Sequence, residues 1–350
     1  MKVLHVIDNL NAGGAQTMFR FFLKNGGSLN VDTYGYSLKK SNFQFENFIS
    51  EKTSQNISIT RFYRLKKLIR SENFDIIHLH LNNSVLHGFV LQKFLNPKIK
   101  WVIHEHGEVF RNDIIGVILN WIYGAFKRAN FIAVSKAVEE KLSEKGMPKS
   151  QIQVIPNVAF VEPTKLLPKE NQPIFNVGFV GRVTERKNWK GFLEVAQRLK
   201  ANKGFLFCVY GSGPDLDKMK SFVKKLELND SVKFCGWKES QDEIYPNLNS
   251  LLLLSKWEGF SLVQLEALSY GVPVISFNNK GMNELAESGN GLFLCEADDL
   301  EAVVNTLSKL QSNSEFFAEN QLAAPQLVKD KTSEKYMESL NTFYNSLLKQ

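Results

Sequence analysis

The sequence has few cysteines, no cysteine pair at metal-binding spacing and no long hydrophobic run. Its 350 residues include three cysteines, which lie far apart at Cys208, Cys235 and Cys295. This spacing argues against a zinc knuckle and against a disulfide framework, and it is typical of small side chains buried in a core. The longest apolar runs, at residues 114–118 and 251–254, are far shorter than the roughly 20 residues that span a bilayer.

The start of the chain lacks the apolar stretch of an export signal. The acidic residue Asp8 follows the opening MKVLHVI too early for an apolar signal core. We therefore expect a cytoplasmic protein.

Histidine is absent from the last two thirds of the sequence, which bears on metal chemistry. Two HxH pairs, at 78–80 and 104–106, lie at the ends of predicted strands, and metallohydrolases use such pairs as ligands. No later histidine completes a centre of that type. Asp215 and Asp217 form a DxD sequence, but they directly follow a Gly-Pro turn and are typical of an acidic first helical turn. We expect neither a metal nor another cofactor.

Positive charge is concentrated in the first half of the chain. Residues 1–165 contain 22 Lys and Arg against 13 Asp and Glu, whereas residues 166–350 contain 21 against 23. A basic half favours phosphate groups, an anionic membrane surface or nucleic acid. The basic residues are not interleaved with a recognisable RNA- or DNA-binding module, so nucleic acid is not an expected partner.

Short apolar runs alternate with helical stretches along the chain. Predicted strands at 3–7, 75–80, 101–104 and 131–134 have the continuous apolar character of parallel strands covered on both faces. The alternation restarts after a proline-containing polar stretch at 161–173, which predicts one α/β Rossmann-like domain over residues 1–165 and a second over 166–331. The tail, about 332–350, is predicted to be a helix that packs one apolar face on the first domain.

Glycine turns follow two of the predicted strands, where ligands bind in open α/β sheets. Gly13 and Gly14 follow the first strand and begin a helix, so that a diphosphate can approach the backbone there. Gly211 and Gly213 form a second small-residue turn, against which a flat base can lie.

Charged residues follow two strands of the second predicted domain. Arg182 and Lys187 come directly after its first strand and offer positive charge to a diphosphate. Glu258 lies in the loop after a later apolar strand, and Glu266 lies within the helix that this loop begins. One carboxylate can hold sugar hydroxyls and the other ribose hydroxyls. Gly259 permits a turn before that helix, and outward amides are expected where the helix begins, at Phe260, Ser261 and Leu262.

This last stretch resembles a known family of enzymes. Glu258 and Glu266 are separated by seven residues, which is the EX7E pattern of retaining GT-B glycosyltransferases. The run EGFSLVQLEALSYGVPVI is similar to family 4 of that group, the set described as glycosyl transferases group 1. The segments at 13–14, 178–187 and 211–214 also resemble family segments. The resemblance covers most of the chain and implies two Rossmann-like domains with a deep cleft between them.

The resemblance also implies roles for individual residues. Arg182 and Lys187 would bind the donor diphosphate. Glu258, together with the backbone of 259–262, would hold the sugar and the phosphate, while Glu266 would bind the ribose. His106 resembles the family histidine beside the reacting sugar carbon, so that His106 and Glu258 are the predicted catalytic residues. One departure is Gln at position 16, where the family loop often ends in Glu, and this weakens an acceptor role for that loop.

The implied activity is metal-independent transfer of a sugar with retention of configuration. The donor would be a UDP- or GDP-sugar, and the acceptor a glycan or a lipid-linked saccharide in bacterial surface polysaccharide synthesis. One alternative is a nucleotide-sugar epimerase of the same fold, against which the EX7E segment argues. Another is a non-catalytic nucleotide-sugar-binding subunit, which would be expected to have lost the charges at 182, 187, 258 and 266.

A basic helix is predicted at residues 61–70. Its apolar residues lie on one face of the helix, and its cations lie on another. We predict that the basic face binds an anionic membrane surface peripherally, on the inner side of the plasma membrane, through Arg61, Arg64, Lys66 and Lys67. The alternative is that the apolar face covers the sheet and the basic back is solvated.

Overall fold

The computed structural model describes residues 1–11, 13–29, 31–52, 59–111, 113–159, 174–279, 281, 284–285 and 290–349. Its internal contacts divide the chain into two units. Unit 1 comprises Met1–Pro156 and Glu334–Gln350, and unit 2 comprises Asn157–Ser333. The boundary predicted at residue 165 falls within residues 160–173, outside the described part of the chain.

Unit 1 is built on a parallel sheet, for which seven strands are described. The strand order is β3-β2-β1-β4-β5-β6-β7. All strands are parallel, and the order in which the chain adds strands reverses between β1 and β4, as in a Rossmann-like fold. Apolar residues fill the sheet because helices cover both faces of a parallel sheet. Its strands are β1 (Lys2–Ile7), β2 (Asp32–Ser37), β3 (Phe48–Ser50), β4 (Ile76–His80), β5 (Lys100–Glu105), β6 (Ala129–Ala133) and β7 (Ile152–Val154).

The helices of unit 1 connect these strands and begin at polar caps where the sequence offers them. The Asp113 carboxylate accepts a hydrogen bond from the Gly116 amide, and the Ser135 hydroxyl accepts one from the Val138 amide. These helices are α1 (Gly14–Asn25), α2 (Ile59–Glu72), α3 (Asn82–Leu91), α4 (Ile114–Ala125) and α5 (Lys136–Glu144).

Helix α2 corrects the predicted membrane-facing set. Positions 61, 65 and 69 recur every four residues and therefore share one helical face. Arg61 is accordingly only 1% exposed and lies on the buried face with Leu65 and Ile69. The prediction that Arg61 faces a membrane is wrong, because it assigned a cation to the polar face without applying this spacing.

The other predicted cations of α2 remain on its outer side. The Arg64 guanidinium lies 2.8 Å from the buried Glu51 carboxylate while its side chain stays more than half exposed. Lys67 is exposed and Lys66 is partly buried. Within the described residues, no helix has the length and apolar character needed to cross a membrane.

Unit 2 repeats the architecture, with six strands described. They run in the order β10-β9-β8-β11-β12-β13, and the order reverses between β8 and β11. The strands are β8 (Phe175–Val180), β9 (Phe205–Tyr210), β10 (Val232–Gly236), β11 (Ser250–Leu253), β12 (Val274–Phe277) and β13 (Leu292–Cys295). The helices are α6 (Trp189–Arg198), α7 (Leu216–Lys225), α8 (Leu262–Ser269), α9 (Leu300–Ser312) and α10 (Ser314–Ala323).

The two parallel sheets confirm the predicted pair of Rossmann-like domains, while the cleft between them stays a prediction. The last helix, α11 (Ser333–Lys349), lies almost entirely within unit 1. Its buried face includes Tyr336, Leu340 and Tyr344. The Tyr344 hydroxyl lies 2.5 Å from Nδ1 of His78 on β4, so α11 packs on the first sheet.

Candidate active site

Two glycine turns meet at the carboxyl edge of the unit 2 sheet. The Gly181 amide donates to the Tyr210 carbonyl and the Val183 amide to the Ser212 carbonyl, both at 2.9 Å. A Cβ atom on Gly211 would stand 1.9 Å from the Gly181 carbonyl oxygen, and Gly211 has φ 144°. Only glycine allows this backbone approach.

A buried ion pair lies at the switch point of the same sheet. The Lys187 ammonium is 2.5 Å from the Glu258 carboxylate, and the two side chains are 11% and 9% exposed. Burial alone would raise the pKa of Glu258, but the charges of Lys187 and Arg186 outweigh it and hold that pKa below its ordinary value. Glu258 is therefore an anion at neutral pH, held beside a cation.

The loops that carry this pair are fastened to each other. The Lys256 amide donates to the Arg186 carbonyl at 2.9 Å, and the Arg186 guanidinium lies 4.4 Å from the centre of the Trp257 ring. Asn188 adopts the left-handed conformation and its side chain accepts from the Gly191 amide, which begins α6 directly after Lys187. The two loops that carry Lys187 and Glu258 are thus held together by a backbone hydrogen bond and a cation–π contact.

The segment after Glu258 leads into the N-terminus of α8. Ser261 is the N-cap residue of this helix, and its side chain makes no capping hydrogen bond. The amides at 260–262 are therefore those that an anion would meet. Their backbone is held by Asn157, whose amide donates to the Phe260 carbonyl at 2.8 Å. Gly259 and Leu262 belong to the same segment, and their contact with a donor stays a prediction.

Glu266 lies in α8 with both carboxylate oxygens engaged. One oxygen accepts from the Gln241 amide at 2.7 Å, and the other accepts from the Tyr245 hydroxyl at 2.5 Å. Burial raises the pKa of Glu266 to about 7, while both hydrogen bonds act in the opposite direction. The carboxylate is thus positioned, with acceptor capacity left for hydroxyl groups.

Arg182 differs from the other predicted cation. It is exposed in the turn after β8, and within the described part of the chain no hydrogen bond or ion pair engages its guanidinium. Unit 2 therefore brings together one fixed cation, Lys187, and one cation that is free to reorient.

Gly13, Gly14 and His106 lie in unit 1, at the carboxyl edge of its sheet. Gly13 precedes α1 in an extended conformation and Gly14 begins the helix. His106 follows β5 in a turn held by Glu105, whose carboxylate accepts from the Gly107 amide at 2.7 Å. Gly107 has φ 115°, a conformation that favours glycine. The buried Gln16, where the family loop often has Glu, lies 3.5 Å from Asn9.

His106 is the outer end of a histidine chain that the sequence analysis missed. Nε2 of His106 lies 3.4 Å from Nδ1 of His80, and Nε2 of His80 lies 3.1 Å from Nδ1 of His5. The ring centres are 5.7 and 5.4 Å apart and the planes differ by 28° and 20°. Each centre-to-centre distance equals the N···N distance plus the distance from nitrogen to ring centre in both rings. The two nitrogens therefore lie on the line that joins the ring centres, and the rings meet edge to edge. Because a neutral imidazole has one donor and one acceptor, the tautomers along the chain are coupled.

The same cluster contains the atoms of two possible metal sites. The ring nitrogens of His5, His78 and His80, and those of His80, His104 and His106, lie within 4.8 Å of one another. Each group contains a face-to-face pair, with planes only 16° apart for 78 and 80 and 14° apart for 104 and 106. Lone pairs of stacked imidazoles lie in parallel planes and cannot converge on one tetrahedral ion. The observed ring orientations thus support stacking rather than chelation.

Two further acidic residues, Asp215 and Asp8, make structural contacts. Asp215 is 2.9 Å from the Lys218 ammonium at the start of α7, in agreement with the predicted acidic helical turn. Asp8, which the sequence analysis did not assign to the site, follows β1 and accepts hydrogen bonds from the amides of Asn83 and Ser84. It joins β1 to the N-terminus of α3 at the switch point. Burial raises its pKa to about 6.

Two family models match consecutive parts of the chain. The model described as Glycosyltransferase Family 4 matches residues 39–159, and the model described as Glycosyl transferases group 1 matches residues 162–323. The first includes the His106 turn, and the second includes every predicted donor-binding residue of unit 2.

Relatives and solved structures agree with these two family matches. An uncharacterized glycosyltransferase of Haemophilus influenzae is 27% identical, over 81% of this chain and 75% of that protein. The UDP-Gal:alpha-D-GlcNAc-diphosphoundecaprenol alpha-1,3-galactosyltransferase of Escherichia coli is 26% identical, over 73% of this chain and 72% of that enzyme. The crystal structure of Anabaena HepE with UDP and glucose has a TM-score of 0.85 at 16% identity and covers 99% of both chains, which establishes a shared fold.

Proposed function

This chain belongs to glycosyltransferase family 4, the group 1 glycosyltransferases, and from that premise we propose that it transfers a sugar from a nucleotide-sugar donor with retention of anomeric configuration. The donor is a UDP- or GDP-sugar. The acceptor is a glycan or a lipid-linked saccharide, and the product contributes to bacterial surface polysaccharide.

The observation that carries this proposal is the Lys187–Glu258 pair beside the N-terminus of α8. A nucleotide-sugar needs a cation for its diphosphate, an acceptor for sugar hydroxyls and an acceptor for ribose hydroxyls. Lys187, Glu258 and Glu266 supply these three functions from the carboxyl edge of one sheet. The α8 amides add dipolar stabilisation of phosphate, and Arg182 adds a mobile charge.

Retention follows from front-face attack in this proposal. The acceptor hydroxyl oxygen bonds to the anomeric carbon on the face from which the diphosphate leaves, while the bond from that carbon to the diphosphate oxygen breaks. The acceptor proton passes to the departing phosphate oxygen. Lys187, Arg182 and the α8 amides stabilise the negative charge that develops there, so their contribution is electrostatic and positional.

His106 is proposed to act on the sugar rather than on the phosphate. Burial lowers its pKa to about 3, so the ring is neutral at physiological pH and can orient a sugar hydroxyl by one hydrogen bond. Gly13 and Gly14 are proposed to present backbone amides to the donor. None of these assignments requires a metal.

The cellular setting is proposed from the relatives. The Escherichia coli relative is named for an acceptor carried on diphosphoundecaprenol, a lipid diphosphate. An enzyme with such an acceptor works on the cytoplasmic membrane surface. We propose peripheral association on the inner face, with Arg64, Lys66 and Lys67 of α2 facing anionic headgroups.

The test is a donor screen followed by an acceptor-dependence assay. Thermal shift across UDP-, GDP- and ADP-sugars identifies the donor, since a ligand that binds the folded state raises the melting temperature. Release of nucleoside diphosphate that depends on an added saccharide acceptor supports transfer. Interconversion of the donor sugar without an acceptor would instead establish an epimerase, and binding without turnover on any acceptor would indicate a non-catalytic subunit.

A further inference from the structure

Helix α4 has an exposed apolar face that the fold of unit 1 does not use. Ile114 and Trp121 are 71% and 66% exposed, and the other large exposed residues of this helix are Ile115, Val117 and Ile118. The opposite side packs on the sheet through Leu119, Ile122 and Tyr123. A helix that is apolar all round needs a second apolar surface on its outer side.

The apolar surface continues from α4 across α3. The Trp121 ring lies 5.8 Å from the Phe89 ring of α3, measured between ring centres. Leu86 and Val90, on the same helix, are also exposed, as is Phe94 in the turn that follows. We call this surface, formed by the exposed apolar residues of α4, α3 and Phe94, the apolar face. Neither α3 nor α4 contains a charged residue.

Cations border the apolar face. The Lys93 ammonium lies 5.4 Å from the centre of the Phe89 ring, and the Lys66 ammonium lies 4.7 Å from that of Phe94. The Arg70 guanidinium donates to the Phe94 carbonyl at 3.1 Å. The border therefore connects the apolar face to the basic outer side of α2.

We propose that the apolar face inserts into the headgroup and upper acyl region of an anionic bilayer, with the bordering cations on lipid phosphates. The proposal deepens, and rests on, the peripheral membrane association proposed above, because it names the side chains that leave water. Apolar residues surrounded by cations are the combination that binds an anionic lipid surface. A purely electrostatic contact through α2 would not explain why the apolar side chains of α4 are exposed.

The geometry supports a helix that lies in the membrane surface. Twelve residues extend about 18 Å, which is too short to span a bilayer but suits a helix lying 5–10 Å deep in the interface. Asp113, the acid at the N-terminus of α4, is paired with Arg111 and does not present an unbalanced negative charge.

The first test compares vesicle binding by full-length variants. Ile114→Ser with Ile118→Ser should weaken binding to vesicles of anionic and zwitterionic phospholipids by at least roughly tenfold, because each aliphatic side chain removed from the interface costs transfer free energy. Leu322→Ser in α10 is the matched control, since that leucine is 63% exposed in unit 2. It should leave binding unchanged.

The second test reads insertion directly from tryptophan fluorescence. Trp121 on α4 and Trp237 in unit 2 are both at least half exposed. Vesicles containing brominated acyl chains should quench the parent protein, and this quenching should be lost in Trp121→Phe and kept in Trp237→Phe. The reverse result, or vesicle binding without quenching, would overturn the proposal.

The remaining outcomes separate this inference from the proposed function. Equal binding by the α4 double variant and the parent would overturn insertion. A parent dimer that dissociates on the same change would assign the apolar face to a second copy of the chain. If the parent protein transfers no sugar to a soluble acceptor, the proposed activity is refuted. Vesicle binding that depends on α4 would still support this inference.

Discussion

Acidification is predicted to unfold unit 1 before unit 2, because four histidines are buried without charge in its sheet. His5, His78, His80 and His104 are each at most 2% exposed. Burial lowers the pKa of His5 to about 3 and those of the other three well below their ordinary value. Near pH 6.5 the histidines of the unfolded chain therefore bind protons, whereas those of the folded unit do not. The histidines thus contribute to the free energy of unfolding above that pH, and this contribution is lost as the pH falls.

The magnitude is large compared with ordinary domain stability. Each proton that the folded unit does not bind costs about 1.36 kcal/mol per pH unit below 6.5, so these four histidines remove about 5 kcal/mol between pH 7 and 5.5. His106, whose pKa burial lowers to about 3, adds to this loss. Asp8 acts oppositely, because its folded pKa of about 6 lies above that of the unfolded chain, and it restores about 1 kcal/mol. The net loss of about 4 kcal/mol is a substantial part of the roughly 5–15 kcal/mol that holds a domain folded.

Urea unfolding at several pH values measures this loss. The buried Trp101 reports on unit 1 and the buried Trp189 on unit 2, so single-tryptophan proteins resolve the two transitions. His104→Phe is the informative variant, since neither ring nitrogen of His104 has a hydrogen-bond partner among the residues that the structure describes. It should remove about a quarter of the pH dependence. A unit 1 transition that does not change between pH 7 and 5.5 would refute the reasoning.

Three further predictions concern the site. Arg182→Ala should weaken nucleoside diphosphate binding by roughly tenfold in calorimetry, since it removes one charged hydrogen bond, whereas the exposed Lys190→Ala should not. Turnover should persist in excess EDTA, and a loss that Mg²⁺ or Mn²⁺ reverses would restore Asp215 as a metal ligand. His80→Phe should change the tautomer of His106, read from imidazole ¹⁵N shifts, whereas His104→Phe should leave it unchanged; equal shifts in both variants would contradict coupling along the chain.

Much of the fold follows from local sequence patterns. Continuous β-branched runs identify β1, β4, β5 and β6 because parallel strands are buried on both faces. Strand β2 was missed because its sequence, DTYGYS, contains glycine and polar residues, and its pairing with β1 depends on the sheet. The start of helix α4 at Ile114 is hard to predict, because a helix that is apolar on both sides lacks helical periodicity.

The candidate site shows a different limit of prediction from sequence. The order of glycines, cations and the two glutamates predicts which residues stand at strand ends, and the structure places those of unit 2 along one edge. The histidine cluster was missed because it requires strand register: His5 pairs with His78, and His80 pairs with His104, across three neighbouring strands. The two HxH pairs showed only part of that arrangement.

The anomeric configuration of the product tests the central claim most directly. The measurement is NMR of the disaccharide formed from an α-linked UDP- or GDP-sugar in the presence of EDTA, with the one-bond C1–H1 coupling of the transferred sugar as the readout. The account predicts an α-linked product together with one released nucleoside diphosphate for each sugar transferred. A β-linked product would contradict front-face transfer assisted by Lys187, Glu258 and the α8 amides.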